Sequence, residues 1–265
     1  MKTKPKPTTP QIDTVATVNT GISWSPWLAV VLVVAVYYVS QILAGTVISI
    51  YPFLHHWSQA HINDWVQNSV WGQFFYVFIA EGLTLGAIYM FMRYRKVSLK
   101  AIGIRKPNWR DPVWGLLILP LYYISFLIAA SVAHALIPSI NVSQSQQLGF
   151  NNVYGFGSLL LTFISLVILP PLTEEIMVRG FLYSSLKKGL PQIGAAIVTS
   201  VIFASAHLQA GSGQPLLWIA AIDTFVLSLF LIYLREKTNG LWASMTLHAL
   251  KNGIAFVSLF IFHVM

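Results

Sequence analysis

The chain has 265 residues, of which 56% are hydrophobic and only 9% are charged, against about 25% charged in an ordinary soluble domain. That balance excludes water as the main solvent, and the net charge of +8 is explained by where the basic residues fall rather than by a nucleic-acid surface. Cysteine is absent, which excludes disulfides, thiol catalysis and thiolate metal sites.

Residues 1–22 are polar, rich in Pro and Thr, and carry Lys2, Lys4 and Lys6. They read as a mobile cytoplasmic tail without the short apolar core of a cleavable signal. Residues 23–265 read as one transmembrane helical domain. Its first apolar segment, about Pro26 to Ile50, is long enough to cross about 30 Å of hydrocarbon as a retained helix. Further spans are expected at about 68–92, 113–136, 157–186, 192–208, 216–234 and 240–262, which makes seven. The fourth is overlong and contains Pro170-Pro171; neither proline donates a helical hydrogen bond, so a kink or a division is expected there, and a division makes eight. The fold class is all-α, a polytopic transmembrane helical bundle, because only helices satisfy their own backbone in lipid when no closed barrel is present.

The connections alternate in charge. Arg93, Arg95, Lys96, Lys100, Arg105, Lys106 and Arg110 follow the second span, Lys187 and Lys188 the fourth, and Arg235 and Lys237 the sixth. Loops 51–67, 137–156 and 209–215 hold no Lys or Arg. The positive-inside bias therefore puts the amino terminus inside and the carboxyl terminus outside, and a short chain without organelle signals suits a bacterial cytoplasmic membrane. Trp24, Trp27, Trp57, Trp65, Trp71, Trp109 and Trp114 lie near span ends and read as interfacial anchors. His55, His56 and His61 read as part of a solvated, aromatic-rich exterior loop.

Ionisable side chains inside the spans are the informative ones, since each costs on the order of 3 kcal/mol at the middle of a membrane helix. Glu174 lies 13 residues before Lys187 and His207 lies 15 after Gln192; at about 1.5 Å per residue both sit roughly 20 Å from the same face. His248 and Asn252 fall at roughly 15 and 21 Å by the same count. Residues four apart share a helix face, so His248 and Asn252 point one way and Glu175 is placed to pair with Arg179. Glu174, about 100° round the helix, is left to face something else. Glu81 and Asp223 reach the same depth and read as partners for Lys251 or the histidines, with catalysis the lesser alternative.

Adjacent carboxylates in a low-dielectric site resist double ionisation, which leaves one able to act as a general base. A base at Glu174 with His207 beside it, and donors at His248 and Asn252, are the parts that water attack on an amide needs. The bland reading makes Glu174-Glu175 and Arg179 a solvated helix end, and the histidines and Asn252 packing glue between helices. It has to hold for all of them together.

The strings Glu174-Glu175-Ile176-Met177-Val178-Arg179, Phe203-Ala204-Ser205-Ala206-His207 and His248-Ala249-Leu250-Lys251-Asn252 match EExxxR, FxxxH and HxxxN in that order. Over about residues 155–262, the expected catalytic core, the chain resembles the CPBP (Abi) family of intramembrane proteases, which includes CAAX prenyl endopeptidases and bacteriocin-processing or immunity proteins. The resemblance implies that Glu174 and His207 activate water, that His248 and Asn252 form an oxyanion hole, and that Glu175 and Arg179 support them. It implies a membrane-associated peptide or lipidated protein as substrate. Members are often labelled metalloproteases, and Glu174, His207 and His248 would be the ligands for zinc or another divalent ion; the spacing is unlike HExxH, and metal-independent glutamate chemistry is the preferred expectation. The alternative class is a non-enzymatic immunity protein or scaffold, or a proton-coupled transporter that uses the acids as a relay.

Overall fold

The computed structural model describes residues 21–144, 149–209 and 215–263; the expected tail, apart from Gly21 and Ile22, lies outside the described residues. All regular structure among them is helical. The helices are α1 (Pro26–Leu54), α2 (Gln59–Asn68), α3 (Val70–Tyr94), α4 (Arg110–Leu136), α5 (Gly155–Leu186), α6 (Gln192–Ser205), α7 (Trp218–Thr238) and α8 (Trp242–Ile261). A 3₁₀ turn at Leu99–Ile102 lies between α3 and α4.

All but α2 and α6 are long and apolar enough to cross a membrane. The seven expected segments correspond to these six and to α6, whose 14 residues span only about 21 Å as a helix. The chain is a multi-pass membrane protein, with apolar side chains such as Val31, Ile42, Leu117 and Leu127 pointing outward. In water such a surface would be untenable.

Helix α2 was not expected, since 51–67 reads as loop. The Ser58 hydroxyl caps it by accepting from the His61 N–H, and the Asn63 and Asn68 side chains pair with Gln59 and Asp64. Its starting signal is local, and no apolar stripe announces it. Trp24 also departs from expectation: it is buried, its Nε1 donates to Ser185 Oγ at 2.8 Å, and its ring stacks on Phe181. A tryptophan at a span end can serve the core as well as the interface.

The diproline does not divide α5. A π-helical stretch, Ile164–Ile168, runs directly into Leu169-Pro170-Pro171, and the helix continues. The carbonyl of Leu166 would accept from residue 170 in an α-turn and from residue 171 in a π-turn. Both are prolines, so neither can donate. The Asn252 side chain on α8 donates to that carbonyl instead, at 2.9 Å.

Helix α5 is the centre of the bundle and touches α1, α3, α6, α7 and α8, which is why its second half is buried on nearly every side. Helix α4 packs closely on α8 because Gly115 has no side chain. A Cβ there would lie 2.9 Å from the Thr246 Cβ and 3.0 Å from the Ala243 carbonyl oxygen. Gly115→Ala is expected to force the two helices apart at a cost of about 1–3 kcal/mol, read as a lower unfolding temperature in detergent.

The connections after α3, α5 and α7 are fastened together with the start of α1. Lys188 donates to the carbonyls of Ile22 and Trp24, Arg95 to that of Ser23, and Lys187 pairs with Glu236. Arg105 pairs with Asp111 and donates to the Thr238 carbonyl. The basic loops thus share one end of the bundle.

Candidate active site

The site begins at Glu175, the first residue of a second π-helical stretch in α5, Glu175–Leu182. Such wide turns often occur where side chains must be aimed at a site. Glu175 and Arg179 pair at 3.0 Å with both side chains fully buried. The guanidinium also lies over the Phe203 ring of α6, 4.2 Å from its centroid, a favourable contact for a desolvated cation.

The same Glu175 oxygen lies 3.2 Å from His248 Nδ1, and His248 Nε2 lies 3.6 Å from Glu174 Oε2. The imidazole of α8 thus stands between the two adjacent acids of α5. A carboxylate already paired with arginine accepts, so Nδ1 carries a hydrogen and the chemistry toward Glu174 is left to Nε2.

His207 lies two residues past the end of α6. Its Nδ1 lies 2.9 Å from the Phe203 carbonyl oxygen, and its ring meets the Phe203 ring edge-on. A carbonyl can only accept, so Nδ1–H donates and Nε2 of the neutral ring is an acceptor. Phe203 therefore acts twice, its backbone aiming His207 and its ring supporting Arg179. Because α6 is short, it ends at the depth where this histidine is placed.

Glu174, His207, His248 and Asn252 line one cavity of about 280 Å³, roomy for several waters at about 30 Å³ each. Glu175 and Arg179 do not line it; they lie behind it. Lys251 and Glu81 complete the charged lining, and Tyr37 and Gln41 of α1 and Tyr76 of α3 form a further polar wall. Lys251 Nζ is 3.0 Å from Asp223 Oδ2, and the Tyr122 hydroxyl donates to the other oxygen of Asp223.

That polar wall escapes the sequence reading. Its signals are slight: Gln41 interrupts an apolar run, and the Tyr76 hydroxyl donates to it across the α1–α3 contact. A single glutamine or tyrosine in a span carries no charge penalty and draws no attention.

The donor set does not fit a metal in this arrangement. Among the described residues no group of three or more His, Cys, Asp or Glu side chains comes together as a metal site. The Glu174, His207 and His248 set therefore shares a cavity without forming a ligand shell for zinc or another divalent ion.

A second cavity, about 800 Å³ and almost wholly apolar, runs between α5 and α8, with Phe163, Val167, Pro171, Leu172, Leu250 and Ile254 among its walls. It shares those helices with the polar cavity but contains none of its charged groups.

Bundle and site together define a helical membrane protein with buried acids, imidazoles and an amide around one small cavity. Residues 156–254 match the model of a family described as type II CAAX prenyl endopeptidase Rce1-like, and the three motifs fall within that segment. The resemblance to the CPBP proteases is borne out there, and it supports a CAAX-type intramembrane protease at the level of the family. Comparison with curated proteins and with solved structures gives no match.

Proposed function

We propose that this protein is an intramembrane endopeptidase that hydrolyses a peptide bond near the carboxyl terminus of a prenylated, CAAX-type protein, by water that Glu174 and His207 activate. The observation that carries the reading is the convergence of Glu174, His207, His248 and Asn252 on one cavity of about 280 Å³. Nε2 of His207 accepts a hydrogen bond from the attacking water while Glu174 takes its proton. The second amide hydrogen of Asn252 faces the oxyanion that forms, and so does Nε2 of His248 in the form that carries hydrogen on both ring nitrogens, with Glu175 accepting from Nδ1 behind it. Glu175 is thus a positioning residue, and Arg179 keeps its charge balanced.

The apolar cavity between α5 and α8 supports a substrate with a long hydrocarbon group, since it offers such a chain a place beside the reacting atoms. The common end shared by the basic loops supports an amino terminus on the inner side of the membrane.

The test is incubation of the purified protein with a farnesylated peptide ending in a Cys-aliphatic-aliphatic-X sequence, and detection of the released tripeptide by mass spectrometry. Cleavage of the unprenylated peptide at an equal rate would shift the reading to trimming of bacteriocin-like peptides. Binding without cleavage of either would replace it with the non-enzymatic class. Asn252→Ala is expected to lower kcat by about 10²–10³-fold through loss of an oxyanion donor. It also strands the Leu166 carbonyl, at a cost of about 1–3 kcal/mol, so its unfolding temperature should fall with its rate.

A further inference from the structure

Amide hydrolysis needs a proton for the departing nitrogen as well as a base for the water; apart from the proton that Glu174 takes from the water, the residues placed so far supply only oxyanion donors. His207 Nδ1 is held by the Phe203 carbonyl, and His248 stands between Glu174 and Glu175. One amide hydrogen of Asn252 is given to Leu166, and the Tyr76 hydroxyl is given to Gln41. Arg179 and Lys251 are paired with Glu175 and Asp223.

Glu81 remains. It is the one carboxyl besides Glu174 that lines the polar cavity, and among the described residues it has no ion-pair partner, whereas Glu175 and Asp223 each have one. It lies beside the Thr173 side chain, the residue before Glu174, and comes from α3, outside the segment that matches the family. A membrane helix keeps such a group at a cost of on the order of 3 kcal/mol unless function requires it.

We infer that Glu81 is a catalytic residue, the acid that protonates the leaving amine from the wall of the cavity facing α5. This rests on the proteolytic reading of the site. Water oxygen bonds to the carbonyl carbon as Glu174 takes one water proton and the carbonyl electrons move onto oxygen. On collapse those electrons restore the C=O bond, the C–N bond breaks, and its electron pair takes the proton of Glu81, which becomes a carboxylate. The proton on Glu174 then returns to Glu81 through cavity water, so that water and amide have become acid and amine with both glutamates restored.

An ester distinguishes this role from a structural one, because an alkoxide leaves with far less help from an acid than an amine does. The experiment compares the farnesylated peptide with its depsipeptide counterpart, in which the scissile amide is an ester, for the wild type, Glu81→Gln, Glu81→Asp, Glu174→Gln and Tyr37→Phe. Glu81→Gln is expected to lose about 10²-fold or more on the amide and less than about fivefold on the ester, while Glu174→Gln loses both. Equal losses on the two substrates, no loss on either, or an amide-selective loss in Tyr37→Phe instead would overturn the assignment. If Glu81→Gln does not fold, Glu81→Asp carries the same comparison, and an amide loss no larger than its ester loss counts against the role. A wild type that cleaves neither substrate removes the proteolytic reading and the role of Glu81 with it. Cleavage by the wild type without amide selectivity in the Glu81 variants removes the role alone.

Discussion

Glu174→Gln is expected to lower turnover of the farnesylated peptide by about 10²–10⁴-fold, the range set by removal of a general base. The change is nearly isosteric, and the Glu174 side chain is 23% exposed to its cavity with only a 3.6 Å approach to His248. Unfolding in detergent should therefore stay within about 0.5 kcal/mol of the wild type, as for substitutions away from packed cores and buried networks. A folded variant with turnover within about twofold of the wild type would sink the proposed chemistry. Glu175→Gln makes the contrast: one position along, it disturbs a carboxylate that joins Arg179 to His248, so activity and stability should fall together.

Arg179→Leu is expected to be the most destabilising single change, costing about 3–5 kcal/mol. It leaves the Glu175 carboxylate in the core without its cation and removes the guanidinium from the Phe203 ring. The double variant Glu175→Leu/Arg179→Leu should recover part of the loss, since a pair replaced by apolar groups avoids the stranded charge. Thermal unfolding of the single and double variants in detergent measures this, and a double variant less stable than Arg179→Leu would show that the pair contributes more than charge balance.

Much of the architecture is legible in the chain because lipid imposes length and polarity so strictly. The apolar runs, the basic connections and the depth of each ionisable residue follow from a fixed rise per residue. Glu175 and Arg179, four apart, meet as helical geometry dictates. His248 and Asn252, also four apart, face the same cavity. Their roles in catalysis are a separate matter and rest on the proposal.

What escapes the sequence depends on contacts between distant segments. The carbonyl that Pro170-Pro171 leaves unmet in α5 is satisfied by an amide from α8, which no local rule supplies. Trp24 is drawn inward by Ser185 and Phe181, more than 150 residues away. Helix α2 is set by its Ser58 cap and short polar pairs, too small a signal beside the long spans. The wall made by Tyr37, Gln41 and Tyr76 is assembled only when α1 and α3 are brought against α5.

The hydrogen bond from Asn252 to Leu166 gives the two prolines of α5 a meaning beyond backbone geometry. An amide free to spin about its last torsion would take no fixed direction in the cavity that Asn252 lines. Here an unmet need in one helix clamps the rotor of another, and it takes both prolines to keep that need open. The diproline thus fixes, through one unmet backbone acceptor, the orientation of a side chain carried by another helix.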